Sequence, residues 1–233
     1  MTITQETPTK PKPQGLPQAQ AAPLPPTRHD LYYSVHKGIR FMHCQIMTAL
    51  GTTDWSSNVE SLRMSSELRR HMEMCADHLR HEDEVIHKAL EAKLPGASMQ
   101  ADEEHDAHQV AFDAMTLILD SLQTATGPER QRLGKVLYKT FCNFVAADLA
   151  HMEGEETVLQ RHLHDLCSDE DLQQLEGQIV AGIAPDMMVR FMRAIVSAQN
   201  WQERDEMLGA MQAGMPKEAF DQLMAAIADT LSV

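Results

Sequence analysis

Two stretches of this chain share one pattern. His78-Leu-Arg-His-Glu82-Asp-Glu-Val-Ile and His151-Met-Glu-Gly-Glu155-Glu-Thr-Val-Leu both read H-[LM]-x-x-E-[DE]-x-V-[IL]. A spacing of four turns an α-helix by roughly 400°, so each His and Glu stack on one face, a turn apart. Both stretches also lie on apolar seams spaced by alternating threes and fours, the period of helices that pack in bundles. Imidazoles and carboxylates therefore fall where leucine is expected. An uncompensated buried charge is strongly destabilising, so any fold of this chain must satisfy those groups.

Four such seams occur. The first runs Tyr32, His36, Ile39, His43, Ile46, Leu50, and the second Met64, Leu68, His71, Cys75, His78, Glu82, Val85, Ala89. The third runs His105, His108, Phe112, Met115, Leu119, Leu122, and the fourth Leu137, Phe141, Phe144, Asp148, His151, Glu155, Val158, His162. Pro95, Pro128, Pro185 and Pro216 punctuate the chain, with Gly51, Gly96, Gly127 and Gly214 near the breaks. The spacing predicts helices over about 28–50, 57–93, 101–125 and 129–166. Short connections favour antiparallel neighbours, hence an all-α, up-down-up-down four-helix bundle over 28–166. In that arrangement His36, Glu82, His105 and Glu155 fall within roughly 10 Å of one another along the axis, at about 1.5 Å per residue.

The remainder of the chain narrows the function. Seven of the 11 prolines lie in residues 1–26, and the segment 1–27 reads as a disordered Pro-rich tail. Residues 167–233 read as a helical extension: Ser168 is a helix N-cap, and Pro185 and Pro216 each start a further amphipathic helix. The extension holds no histidine, although the chain has 12. A net charge of −14 repels phosphate backbones and argues against nucleic acid as a partner. No run approaches the roughly 20 apolar residues of a membrane span, and the N-terminus has no signal-peptide pattern. Cys44, Cys75, Cys142 and Cys167 form no CxxC pair. Reduced thiols in the cytoplasm are the expectation.

A divalent metal satisfies buried carboxylates and neutral imidazoles together, by making both into ligands. The order His36, then His78-x-x-x-Glu82, then His105, then His151-x-x-x-Glu155 resembles the hemerythrin-like, or HHE cation-binding, family. The resemblance covers about 28–166 and extends more weakly into 167–233. It implies a non-haem di-iron site in which His36, His78, His105 and His151 are terminal ligands and Glu82 and Glu155 bridge the two ions. Zinc or manganese suits the same donors. Open positions on such ions admit dioxygen, nitric oxide or peroxide, for sensing, storage or detoxification. A redox enzyme acting on peroxide, nitric oxide or damaged iron centres is the alternative, and a metal-gated interaction module a second. The family's oxygen carriers hold five histidines, and the family positions here give four. His108, on the seam with His105, is the candidate for a fifth, with His43 or His71 as the alternatives.

Other residues read less sharply. His81, His87, His162 and His164 are expected at the rim or in solvent, and His29 at the start of the first helix. Asp148 and Tyr32 lie a turn from His151 and His36 and are placed to orient ligands or a bound gas. Cys75 reads as a small core residue, and the stripe Met187, Met188, Met192 as packing. No nucleophile–base constellation suggests a hydrolase.

Overall fold

The protein is described here by a computed structural model covering residues 28–231. The Pro-rich segment 1–27 lies outside the described residues, as do 232–233. Regular structure among the described residues is entirely helical. In chain order the helices are α1 (Tyr33–Thr52), α2 (Asn58–His81), α3 (Lys88–Lys93), α4 (Met99–Thr124) and α5 (Gly127–Gly154). They continue as α6 (Gln160–Leu166), α7 (Asp169–Gly182), α8 (Pro185–Ala198), α9 (Trp201–Gly214) and α10 (Lys217–Ile227). Two π-helical turns, Glu82–His87 and Glu155–Leu159, join α2 to α3 and α5 to α6.

The helix ends follow the local chemistry. α1 starts at Tyr33 rather than at 28, because the Asp30 carboxylate accepts the backbone N–H groups of Tyr32 and Tyr33 at 2.9 Å and turns the chain there. Ser57 caps α2 through the Glu60 N–H. Leu94 ends α3, and Gly96, at φ 86°, supplies a left-handed residue in the loop that follows. Capping boxes open α7 (Ser168 with Asp171) and α9 (Asn200 with Glu203).

The first and third seams are buried throughout, as the spacing predicts. Tyr32, His36, Ile39, His43, Ile46 and Leu50 are all buried, and so are His105, His108, Phe112, Met115, Leu119 and Leu122. α1 packs on α2 and α5, and α4 packs on the same two helices, so each of the four has two neighbours in a ring. The main apolar core lies between them, with Met64, Leu68, Met115, Leu119, Leu137 and Phe141 at its centre. α8 lies along α1 and also touches α2; its Phe191 and Ala194 belong to that same core. α7 covers the π-turn at 82–87. Met192, Val196, Leu223 and Ile227 make a smaller core between α8 and α10, with Met188 packed against it. No helix among the described residues is long and apolar enough to cross a membrane.

At the two repeated motifs the seam departs from the simple period. The threes-and-fours rule continues from Glu82 to Val85 and Ala89, yet Ile86, His87 and Leu90 are the buried residues. It continues from Glu155 to Val158 and His162, yet Val158 is 41% exposed and Leu159, Gln160 and Leu163 are buried. A π-turn adds a residue to the helical repeat, so the buried face slips by one position after each glutamate.

Candidate metal centre

The slip at 82–87 brings in a histidine that the period misses. His87, expected at the rim, is 3% exposed and belongs to the buried group. Its ring stacks on His105 with centroids 5.1 Å apart, and its Nε2 lies 3.7 Å from Glu155 Oε1. Five residues on an unbroken α-helix would turn it roughly 140° from Glu82; the i→i+5 turn carries it back to the core. His81 is also buried rather than at the rim: the end of α7 closes over it, with a Cβ position at Gly182 only 2.9 Å from its Cε1. His162 and His164 are partly exposed, and His29 precedes α1.

Six of the seven residues singled out from the sequence converge. Glu82 (2% exposed) and Glu155 (1%) face each other in the core. Glu82 Oε1 lies 3.1 Å from His78 Nε2 and 3.4 Å from His36 Nε2, and its Oε2 lies 3.7 Å from His105 Nε2. Glu155 Oε2 lies 3.3 Å from His151 Nε2 and 3.4 Å from His36 Nε2, and its Oε1 lies 3.7 Å from His105 Nε2. The ligating atoms of Glu82, His105, His151 and Glu155 lie within 4.8 Å of one another, and so do those of His36, His78 and Glu82. Both glutamates therefore reach towards both sets of imidazoles. His108, the seventh, does not join them: its Nδ1 faces Asp148 Oδ1 at 3.7 Å, and its ring lies 5.0 Å from that of His151. Asp148 holds His43 (2.6 Å) rather than His151, and His71 lies beyond it, 2.8 Å from the other nitrogen of His43.

The imidazoles are aimed from behind. His36 Nδ1 lies 2.9 Å from Glu156 Oε1, His105 Nδ1 2.6 Å from Asp83 Oδ1, His87 Nδ1 2.7 Å from Asp102 Oδ1, and His151 Nδ1 2.8 Å from Glu104 Oε2. A carboxylate on Nδ1 holds a proton there and aims Nε2 inwards, where its lone pair serves a metal once the second proton is displaced. Two of these acids, Asp83 and Glu156, directly follow the motif glutamates. The [DE] of the repeated pattern thus carries a role the sequence reading did not assign. Arg40 Nη1 supports Glu156 in turn at 2.5 Å.

The inward atoms are poorly satisfied by the protein alone. His78 Nε2, His87 Nε2, Glu82 Oε2 and both Glu155 oxygens are buried with no hydrogen-bond partner of acceptable geometry. Buried polar atoms are rarely left so. The electrostatics agree. Burial opposes the charge on His36, yet Glu156, Glu82 and Glu155 raise its pKa to about 10. Burial opposes it at His87 and His105 too, yet Asp83, Glu155 and Glu82 raise them to about 10 and about 9. Burial would raise the Glu155 carboxyl, but the imidazoles of His105, His87, His151 and His36 hold it well below the usual range. The acids thus draw positive charge to the centre, whether protons or a metal supplies it. Histidine and carboxylate groups in this arrangement can hold a metal ion.

No family model matches this chain, and comparison with curated proteins and with solved structures found no match.

Proposed function

We propose that α1 to α6 form a hemerythrin-like, up-down-up-down four-helix bundle that holds two non-haem iron ions and binds dioxygen or a related small molecule such as nitric oxide or peroxide. The observation that carries this reading is the convergence of five buried Nε2 atoms on two glutamates whose inward oxygens lack partners. His36 and His78 would hold one ion, and His87, His105 and His151 the other. Glu82 and Glu155 would bridge the pair, since each offers an oxygen to both sides. His87 supplies the fifth imidazole that the four family positions left wanting, and it makes the two halves unequal. The corresponding position of the second motif is Gln160, which instead accepts from Leu31 N–H and donates to His29 C=O, both at 3.1 Å. The ion with fewer protein ligands is the natural place for a small molecule to bind. There, the Tyr32 ring lies 5.2 Å from that of His36, and its buried hydroxyl has no partner. Burial and the nearby Glu155 and Glu82 keep that phenol protonated, so it is a donor available to a bound ligand.

Metal content together with an optical spectrum, taken anaerobically and then in air, tests this reading. Two irons per chain, with new charge-transfer bands in air that reverse under vacuum, are expected. Irreversible oxidation instead would move the assignment to a redox enzyme. Zinc, or a folded chain without metal, would overturn the proposal.

A further inference from the structure

A second group of buried ligands lies along the same seams, seven residues from the first. His43 and His71 stand seven positions from His36 and His78, about 10 Å along the helices at about 1.5 Å per residue. His43 Nδ1 lies 2.8 Å from His71 Nε2, and Cys75 Sγ lies 3.7 Å from that same nitrogen. The ligating atoms of all three residues fall within 4.8 Å of one another. We propose that His43, His71 and Cys75 form a separate mononuclear site for a divalent ion of borderline softness, zinc or iron(II).

Hydrogen bonding inside the protein does not satisfy this cluster. Asp148 Oδ2 accepts a hydrogen bond from His43 Nε2–H at 2.6 Å. His43 Nδ1 then presents a lone pair to His71. If His71 donates from Nε2, that single proton serves either His43 or Cys75, and the His71 Nδ1 lone pair stays buried. If His43 is charged and donates instead, His71 Nδ1 carries the proton without an acceptor. His71 Nδ1 is without a partner in either case, and equally when Nε2 ligates an ion, so what an ion resolves is the contest for Nε2.

An ion in place of the shared proton takes both imidazoles and the sulfur at once. Thiolate and imidazole are a donor set that zinc and iron accept. Asp148 behind His43 then becomes the carboxylate that orients a metal-bound imidazole. Charge also balances: the Asp148 carboxylate and the Cys75 thiolate together offset one dication, with both histidines neutral. Burial keeps the His71 imidazole neutral, its pKa pushed down to about 3 with His43 adding to the effect. Burial also keeps the Cys75 thiol protonated until a cation replaces its proton. The edges of Phe141 and Phe144 wall the site, with centroids 5.9 and 5.5 Å from that of His43. His71 also lines a cleft of about 450 Å³ bordered by Met42, Met74, Arg190 and Ala194. A water or small anion completing the coordination would enter from there.

Cobalt(II) titration of the metal-free full chain tests the site. One ion beyond the bridged pair is expected, with a thiolate-to-cobalt charge-transfer band in the near ultraviolet. Cys75→Ser should abolish the band and remove that one ion while the pair remains, and His71→Gln, which keeps the thiol, should weaken uptake of the same ion. No thiolate band in the folded wild type would overturn the proposal. So would a band that survives Cys75→Ser or disappears in Cys44→Ser, whose thiol is exposed. A single bound ion with the thiolate band would leave this site standing and overturn the two-ion reading instead.

Discussion

His87 Nδ1 lies 2.7 Å from Asp102 Oδ1, and this contact across the α3–α4 connection points the His87 Nε2 at Glu155. The acid sits in the first turn of α4, which begins just after the loop that ends α3. The placement of α4 thus fixes both His105 and the orienting partner of His87.

His87→Ala and His105→Ala should therefore both lower metal content, whereas Gln160→Ala, at the matching position of the second motif, should leave it unchanged. Asp102→Asn keeps the ligand and loosens its aim, so a roughly 10- to 100-fold loss of affinity is expected. Competition with a chelator reads both. Full metal binding by His87→Ala would return the count to four imidazoles.

His78→Ala and Glu155→Ala should each lose most of the metal and lower stability, because the remaining buried ligands are left unpaired. His162→Ala, whose side chain is partly exposed, should do neither. Metal analysis beside thermal unfolding separates the two outcomes.

At Gly38, α1 packs directly on the backbone of α8. A Cβ built there would meet Ile195 N at 2.9 Å and Ala194 C at 3.1 Å, both backbone atoms that cannot rotate away. Gly38→Ala should therefore cost about 1–3 kcal/mol through the clash, although alanine gains about 0.5–1 kcal/mol in a helix. Gly177→Ala in exposed α7, with nothing within 4 Å of the new carbon, should show the gain alone. Denaturant unfolding of the two variants would reveal opposite signs.

Glu91 ties down the connection before α4. Its carboxylate accepts the N–H of Gly96 at 2.7 Å and of Ser98 at 2.8 Å, and these bonds, with the Ser98 hydroxyl, lower its pKa. A carboxyl depressed in the fold stabilises it above the unfolded value of about 4.3, and that contribution fades as pH falls through the folded value. Wild type should exceed Glu91→Gln in stability near neutral pH, and the gap should narrow as the pH is taken below the unfolded value of about 4.3. A gap independent of pH would show that the ionised form contributes nothing.

Most of the centre was legible because helical period and chemistry coincide in it. His36, His78, Glu82, His105, His151 and Glu155 occupy positions where a bundle buries leucine, and an ionisable group there requires a partner. His87 and the acids Asp83 and Glu156 were not legible in the same way. The first two follow Glu82 and the third follows Glu155, where the helix changes from α to π, and a rule of threes and fours carries the seam past them. Two signals were present: the repeated [DE] after each motif glutamate, and a histidine five residues after one glutamate but not the other. His108 shows the converse. It lies on the seam as its spacing requires, yet one turn of helix separates it from the glutamates and places it beside Asp148.

The sequence by itself determined that residues 28–231 are helical and, up to the two motif glutamates, which faces of the four long helices are buried, because these follow from backbone geometry and the cost of exposing apolar surface. It also determined that two His–Glu pairs enter the core. Tertiary structure alone decided which nitrogens meet which oxygens, which acids stand behind them, and that His43, His71 and Cys75 form a group apart. Those relations join residues as far apart in the chain as His36 and Glu156, and they depend on helix register and on two π-turns, which local propensity does not specify.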